Sequence, residues 1–127
     1  MKKDTPLILL VDDSSTNNLL LETTLKLYNY EVETASSGKE ALKLLKKKDF
    51  NLVLMDVMMP GMSGYEVLEA MMKDKKTASI PVIMVTARSR EDEEQKAKML
   101  GAADYFEKPL HLDDVVNRVK ELMMQPA

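Results

Sequence analysis

The 127-residue sequence has no cysteine and a single histidine. The first absence removes disulfides, thiolate metal sites and cysteine nucleophiles together, and it agrees with a cytoplasmic setting. A basic surplus is also lacking: 18 Lys and Arg stand against 21 Asp and Glu, for a net charge of −3. No Lys/Arg stripe runs along the chain, so direct nucleic-acid binding is not expected. The one basic cluster, Lys46-Lys47-Lys48, falls at an expected helix C-terminus, where the helix dipole favours cations. Long apolar runs are missing too. Met1-Lys2-Lys3 followed by Leu7-Ile8-Leu9-Leu10-Val11 has the outline of a signal peptide, but the apolar run is too short and meets Asp12-Asp13. No segment is long enough to span a bilayer, so no membrane is expected as a partner. There is no repeat, low-complexity tract or linker, and one domain over residues 1–127 is the expectation.

What the chain does contain is 45% apolar and 31% charged residues, enough for a core and for its solvation. Leu7 to Val11 is an unbroken apolar run, and so are Leu52-Val53-Leu54-Met55 and Val82-Ile83-Met84-Val85. Such runs, bounded by breakers, read as strands buried on both faces. The second runs into Asp56 with Pro60, Gly61 and Gly64 close behind; the third runs into Thr86-Ala87. Glu31 to Ala35 alternates polar and apolar, as a half-exposed strand does, and Tyr105-Phe106 make a short last strand.

Helices are expected between these strands. Ser14 or Ser15 can cap the first, whose apolar stripe is read as Leu20, Leu21, Leu25, Leu27 and Tyr28. Ser37 with Glu40, and Ser63 with Glu66, have capping-box spacing. The second helix turns Ala41, Leu42 and Leu45 inward, and the third Val67, Leu68, Met71 and Met72. The fourth, Arg90 to Leu100, offers only Ala97, Met99 and Leu100 for packing before Gly101 ends it, so the core should hold it weakly. The last carries the cleanest stripe: Leu112, Val115, Val116, Val119 and Leu122. Most of the 11 methionines read as core filler, with Met58, Met59 and Met62 partly exposed. No function is assigned to His111.

Strands alternating with helices imply an α/β fold with a parallel sheet. The three apolar strands belong in its centre, and the alternating and short ones at its edges. Right-handed crossovers then give a five-stranded sheet in the order 2-1-3-4-5 with helices on both faces, the flavodoxin-like (βα)5 winding. Ligands bind such sheets where the strand order reverses, here between the first and third strands at their C-terminal ends. Asp12, Asp13 and Asp56 fall there, and Thr86 and Lys108 open onto the same edge.

Converging carboxylates repel unless one is protonated or a cation sits among them. Oxygen donors without His or Cys select a hard cation, and Mg²⁺ is the expected one. Lys108 adds a mobile positive charge and Thr86 a hydroxyl. Together they describe a site for a phosphoryl group beside a carboxylate that can act as nucleophile and form an aspartyl-phosphate. Taken singly, Asp12 and Asp13 read as helix caps, Thr86 as a β-branched strand residue, Lys108 as a surface lysine and Tyr105 as packing. Their common placement raises the functional reading above these.

Val11-Asp12-Asp13, Met55 through Gly64, Val85-Thr86-Ala87 and Glu107-Lys108-Pro109 together resemble the receiver domain of two-component response regulators, over Leu7 to Met123. The resemblance implies that Asp56 is the phosphoacceptor. It implies that Asp12 and Asp13 hold Mg²⁺ with Asp56, and that the backbone carbonyl of Met58 completes the shell. Thr86 would swing toward the phosphoryl group and Lys108 pair with one of its oxygens. Tyr105 would rotate inward as Thr86 moves. Lys108-Pro109 matches a bond usually cis in the family. Met58 and Arg88 match positions thought to tune phosphoryl lifetime, with Arg88 expected to shield the acyl phosphate.

The implied partners are a sensor histidine kinase or histidine phosphotransfer protein and a downstream output partner or domain reading the fourth helix, last strand and last helix. Phosphorylation-dependent dimerisation is one form that output takes. The chain is then a signalling switch rather than an enzyme. Stand-alone regulator, receiver of a DNA-binding regulator and receiver of a hybrid kinase are all compatible with the sequence. The alternative is a Mg²⁺-dependent aspartyl-phosphate phosphatase or phosphomutase. Enzymes of the haloacid dehalogenase type want a second acid two residues after the nucleophile, where this chain has Met58. Flavodoxin-like mononucleotide binding would need a phosphate-cradling loop where Asp12-Asp13 stand.

Overall fold

A computed structural model describes residues 5–124; Met1-Lys2-Lys3 of the leader-like start lies outside the described residues. The strands are β1 (Leu7–Val11), β2 (Glu31–Ala35), β3 (Leu52–Asp56), β4 (Val82–Thr86) and β5 (Asp104–Glu107). The helices are α1 (Ser15–Lys26), α2 (Gly38–Lys47), α3 (Gly64–Lys73), α4 (Arg90–Met99) and α5 (Leu112–Met124). All pairings are parallel, in the order β2-β1-β3-β4-β5.

The continuous apolar runs are central because both their faces are covered. Alternate residues point to opposite sides. Leu9, Val11, Val53, Met55, Val82 and Met84 pack with Ala41 and Leu45 of α2, Val67, Leu68 and Met71 of α3, and Ala97 of α4. Ile8, Leu10, Leu52, Leu54, Ile83 and Val85 pack with Leu21 and Leu25 of α1 and Val115, Val116 and Val119 of α5. Three helices thus cover one face of the sheet and two the other.

Several local expectations need correction. Leu20 is 53% and Leu27 77% exposed, and Tyr28 is also exposed, so the buried line of α1 is Asn18, Leu21 and Leu25. Adjacent helical residues are separated by roughly 100°, so Leu20 and Leu21 cannot both face the sheet squarely. Met99 is 80% exposed, because it lies two residues from buried Ala97 and hence on the far side of α4. Met59 is buried against the core rather than partly exposed. Ser63 and Glu66 form the full capping box, whereas Glu40 reaches back to Ser36 instead of Ser37. The first-helix cap is Ser14, which accepts the N–H of Asn17.

Candidate functional site

The register brings the acids together. Val11 lies beside Met55, so Asp12, next in the chain, emerges beside Asp56, the last residue of β3. Ligand oxygens of Asp12, Asp13 and Asp56 lie within 4.8 Å of one another, with Asp12 and Asp56 buried and Asp13 exposed. Asp12 is fixed from three sides: its Oδ1 accepts the Ser14 N–H at 2.9 Å, and its Oδ2 accepts from Asn17 Nδ2 at 3.3 Å and Lys108 Nζ at 3.1 Å. Lys108 also reaches Asp56 Oδ2 at 3.2 Å, while Asp56 Oδ1 accepts the N–H of Met58 at 3.1 Å.

Burial raises the pKa of Asp56, and the neighbouring Asp12 charge adds to the rise; the Met58 N–H and Lys108 work against it. For Lys108, burial disfavours the charge, but the Asp12 hydrogen bond and the two carboxylate charges outweigh it and the pKa is raised. One ammonium against three carboxylates leaves the group negative. The all-oxygen donor set, gathered at one sheet edge with Asp13 open to solvent, fits a hard cation such as Mg²⁺.

Thr86 ends β4, fully buried, and its carbonyl accepts the Lys108 N–H at 2.7 Å. Its hydroxyl accepts the Arg88 N–H at 3.2 Å. Tyr105 is fully buried, and its hydroxyl donates to the Arg88 carbonyl at 3.3 Å. The backbone of Arg88 therefore bridges Thr86 and the buried Tyr105. Burial, with Glu93 and Glu107 nearby, pushes the Tyr105 phenol up to about 12, so it remains a donor. The Arg88 guanidinium lies 3.5 Å from Glu93 and shares a cleft with Met58, whose side chain is half exposed.

The loop between β3 and α3 is held by close backbone approach. Gly64 donates its N–H to the Val57 carbonyl at 2.9 Å, and a Cβ on Gly64 would stand 2.2 Å from the Asp56 carbonyl oxygen. Gly61 has φ +81°, a left-handed turn conformation that glycine adopts freely. The Lys108-Pro109 bond is cis. His111 is exposed, and its carbonyl accepts the N–H groups of Asp114 and Val115.

Asp12, Asp13, Asp56 and Lys108 meet at the sheet edge where the sequence places them with Thr86, but the supports beneath them were missed. Asn18, buried in α1, donates to the Asp12 carbonyl at 2.9 Å and the Ala35 carbonyl at 3.4 Å. An Asn on the stripe where an apolar residue belongs was the signal for it. Tyr65 and Glu93, joined at 2.9 Å, carry no comparable local signal.

The family model described as "Response regulator receiver domain" matches residues 8–120. Protein PilH of Pseudomonas aeruginosa is 33% identical over 116 residues, covering 91% of this chain and 96% of PilH. A probable cyclic di-GMP phosphodiesterase of Vibrio cholerae is 42% identical over 112 residues, but these are 88% of this chain and 25% of that protein. The chain thus spans a quarter of that relative's length. The chemotaxis response regulator CheY4 of Vibrio cholerae superposes with a TM-score of 0.87 at 32% identity, covering 94% of this chain and 99% of that one.

Proposed function

The chain belongs to the response regulator receiver family, and from that premise we propose that Asp56 is its phosphoacceptor, Asp12 and Asp13 its cation-holding acids, and Thr86, Lys108 and Tyr105 the residues that answer the modification. The observation that carries this reading is the convergence of Asp12, Asp13 and Asp56, with Lys108 bonded to two of them.

A phosphohistidine on a sensor kinase or phosphotransfer protein is the donor. An Asp56 carboxylate oxygen attacks phosphorus in line, the P–N bond breaks, and the imidazole nitrogen leaves with the electron pair. Mg²⁺ held by the Asp12, Asp13 and Asp56 carboxylates and the Met58 carbonyl would neutralise charge on the transferred group. Lys108 is already placed between Asp12 and Asp56 and pairs with a phosphoryl oxygen. Thr86 gives up its Arg88 bond to donate its hydroxyl, which frees the loop that Tyr105 holds from the other side. The face of α4, β5 and α5 is then what an output partner or a second copy reads.

A receiver is a signalling domain rather than a classical enzyme, and its setting is cytoplasmic; no helix among the described residues is long and apolar enough to cross a membrane. The phosphatase alternative has less support, since Met58 stands where its second acid belongs. Transfer of labelled phosphate from a phosphohistidine-bearing phosphotransfer protein tests the assignment. Label should appear on the wild type and not on Asp56→Asn; label on both, or on neither, would overturn it.

A further inference from the structure

Tyr65 belongs to the first turn of α3, and nothing in the phosphoryl chemistry uses it. It makes two contacts with α4. Its hydroxyl donates to Glu93 Oε1 at 2.9 Å, and its ring faces the Lys96 ammonium 4.7 Å from the centroid. Glu93 and Lys96 are three residues apart, so one face of α4 meets one side chain.

α4 depends on such contacts. Of its residues Ala97 is the buried one, and its N-cap Ser89 makes no side-chain capping bond. Its other attachments are mostly polar: the Arg90 N–H donates to Glu107 at 3.2 Å, and the Arg90 guanidinium pairs with the Tyr105 carbonyl. A helix with so little buried apolar surface takes its position from these bonds.

At its other end Tyr65 is anchored to the loop that leaves β3 directly after Asp56. It is only 8% exposed and packs in the core with Val57 and Met59. Gly64, the residue before it, is bonded to the Val57 carbonyl and lies against the Asp56 carbonyl too closely to admit a Cβ. Burial, then the Glu93 bond and charge, hold the Tyr65 phenol well above its ordinary range, so it is a donor throughout the physiological range. Glu93 Oε2 also meets Arg88 at 3.5 Å, which joins this contact to the loop after Thr86.

We propose that Tyr65 is a positioning residue that fastens α4 to the Asp56 end of β3, so that a change at Asp56 reaches α4 through α3 as well as through Thr86 and Tyr105. The inference rests on Asp56 being the phosphoacceptor. Loss of the Tyr65–Glu93 bond removes a charge-assisted hydrogen bond in a half-buried setting, which corresponds to about a fivefold rise in local opening.

The test is amide hydrogen exchange on the full chain, wild type against Tyr65→Phe, with and without Mg²⁺ and acetyl phosphate. Without phosphodonor, Tyr65→Phe should speed exchange in residues 90–99 about fivefold and leave α5 unchanged. Equal acceleration in α4 and α5, or none, overturns the proposal. With the donor, and at equal phosphoryl occupancy by intact mass, the phosphorylation-dependent change in α4 exchange should fall to half or less of the wild-type change. An undiminished change overturns the coupling. Glu93→Gln keeps an acceptor and should lie between the two; with Tyr65→Phe it should be non-additive, as a shared contact requires. If the wild type takes no phosphoryl group, the phosphoacceptor assignment fails, and the coupling with it. The exchange comparison without donor still measures the Tyr65–Glu93 attachment by itself.

Discussion

Lys108 and Asp56, 52 residues apart in sequence, meet at 3.2 Å between ammonium and carboxylate at the C-terminal edge of the sheet. The same ammonium serves Asp12, so one lysine compensates two buried acids. Lys108→Met should therefore lower stability at neutral pH by about 1–3 kcal/mol, a range kept modest because the lysine remains partly solvated. Added Mg²⁺ should restore more of the melting temperature in this variant than in the wild type. Thermal melts with EDTA and with Mg²⁺ check both statements.

The charge on Asp56 costs stability. Its folded pKa is raised above the ordinary 3.8, so the folded state holds the proton more tightly than the unfolded state. The group's contribution is then most favourable below 3.8 and is lost as pH rises through the folded pKa. Asp56→Asn, neutral at every pH, should melt higher than the wild type at pH 7, by on the order of 1 kcal/mol. The advantage should vanish below pH 3.8 and shrink at pH 7 when Mg²⁺ is added. Paired melts across pH measure the sign directly.

Gly64 is required by space. A Cβ 2.2 Å from the Asp56 carbonyl oxygen meets backbone of a central strand, which cannot swing aside. Gly64→Ala should cost about 2–3 kcal/mol as overpacking. The urea midpoint should fall with an unchanged m-value.

Arg88 and Met58 line one cleft together with Val57, the residue after Asp56, and Arg88 pairs there with Glu93. The resemblance implies that a residue at the Arg88 position tunes phosphoryl lifetime, and the proposed role here is to shield the acyl phosphate from water. Arg88→Glu should shorten the phosphoryl lifetime by about threefold to tenfold, the effect of a reversed charge at an exposed site on the order of 1 kcal/mol. Following loss of label after donor removal gives the rate; an unchanged rate would contradict the shielding role.

Much of this was legible in the residues, for physical reasons. Leu7–Val11, Leu52–Asp56 and Val82–Thr86 had to be central because an unbroken apolar strand needs cover on both faces, and centrality set the winding. The winding then placed Asp12 beside Asp56. Less legible was which side of α1 faces the sheet: Leu19, Leu20 and Leu21 are consecutive, and Asn18 rather than a leucine completes the buried line. The polar supports were hidden as well. Asn18 bonds the Asp12 backbone, and its one trace in the chain is a polar residue on an apolar stripe; Tyr65 against Glu93 is a contact between side chains brought together only by the fold, and it leaves neither a period nor a motif.

The central claim is that Asp56 accepts a phosphoryl group at a cation-dependent acidic site. Intact-protein mass measurement after incubation with acetyl phosphate and Mg²⁺ tests it most directly. The account predicts a gain of one phosphoryl group in the wild type, lost with EDTA and lost in Asp56→Ala. A protein that gains none, or an Asp56→Ala variant that gains it equally, would contradict it.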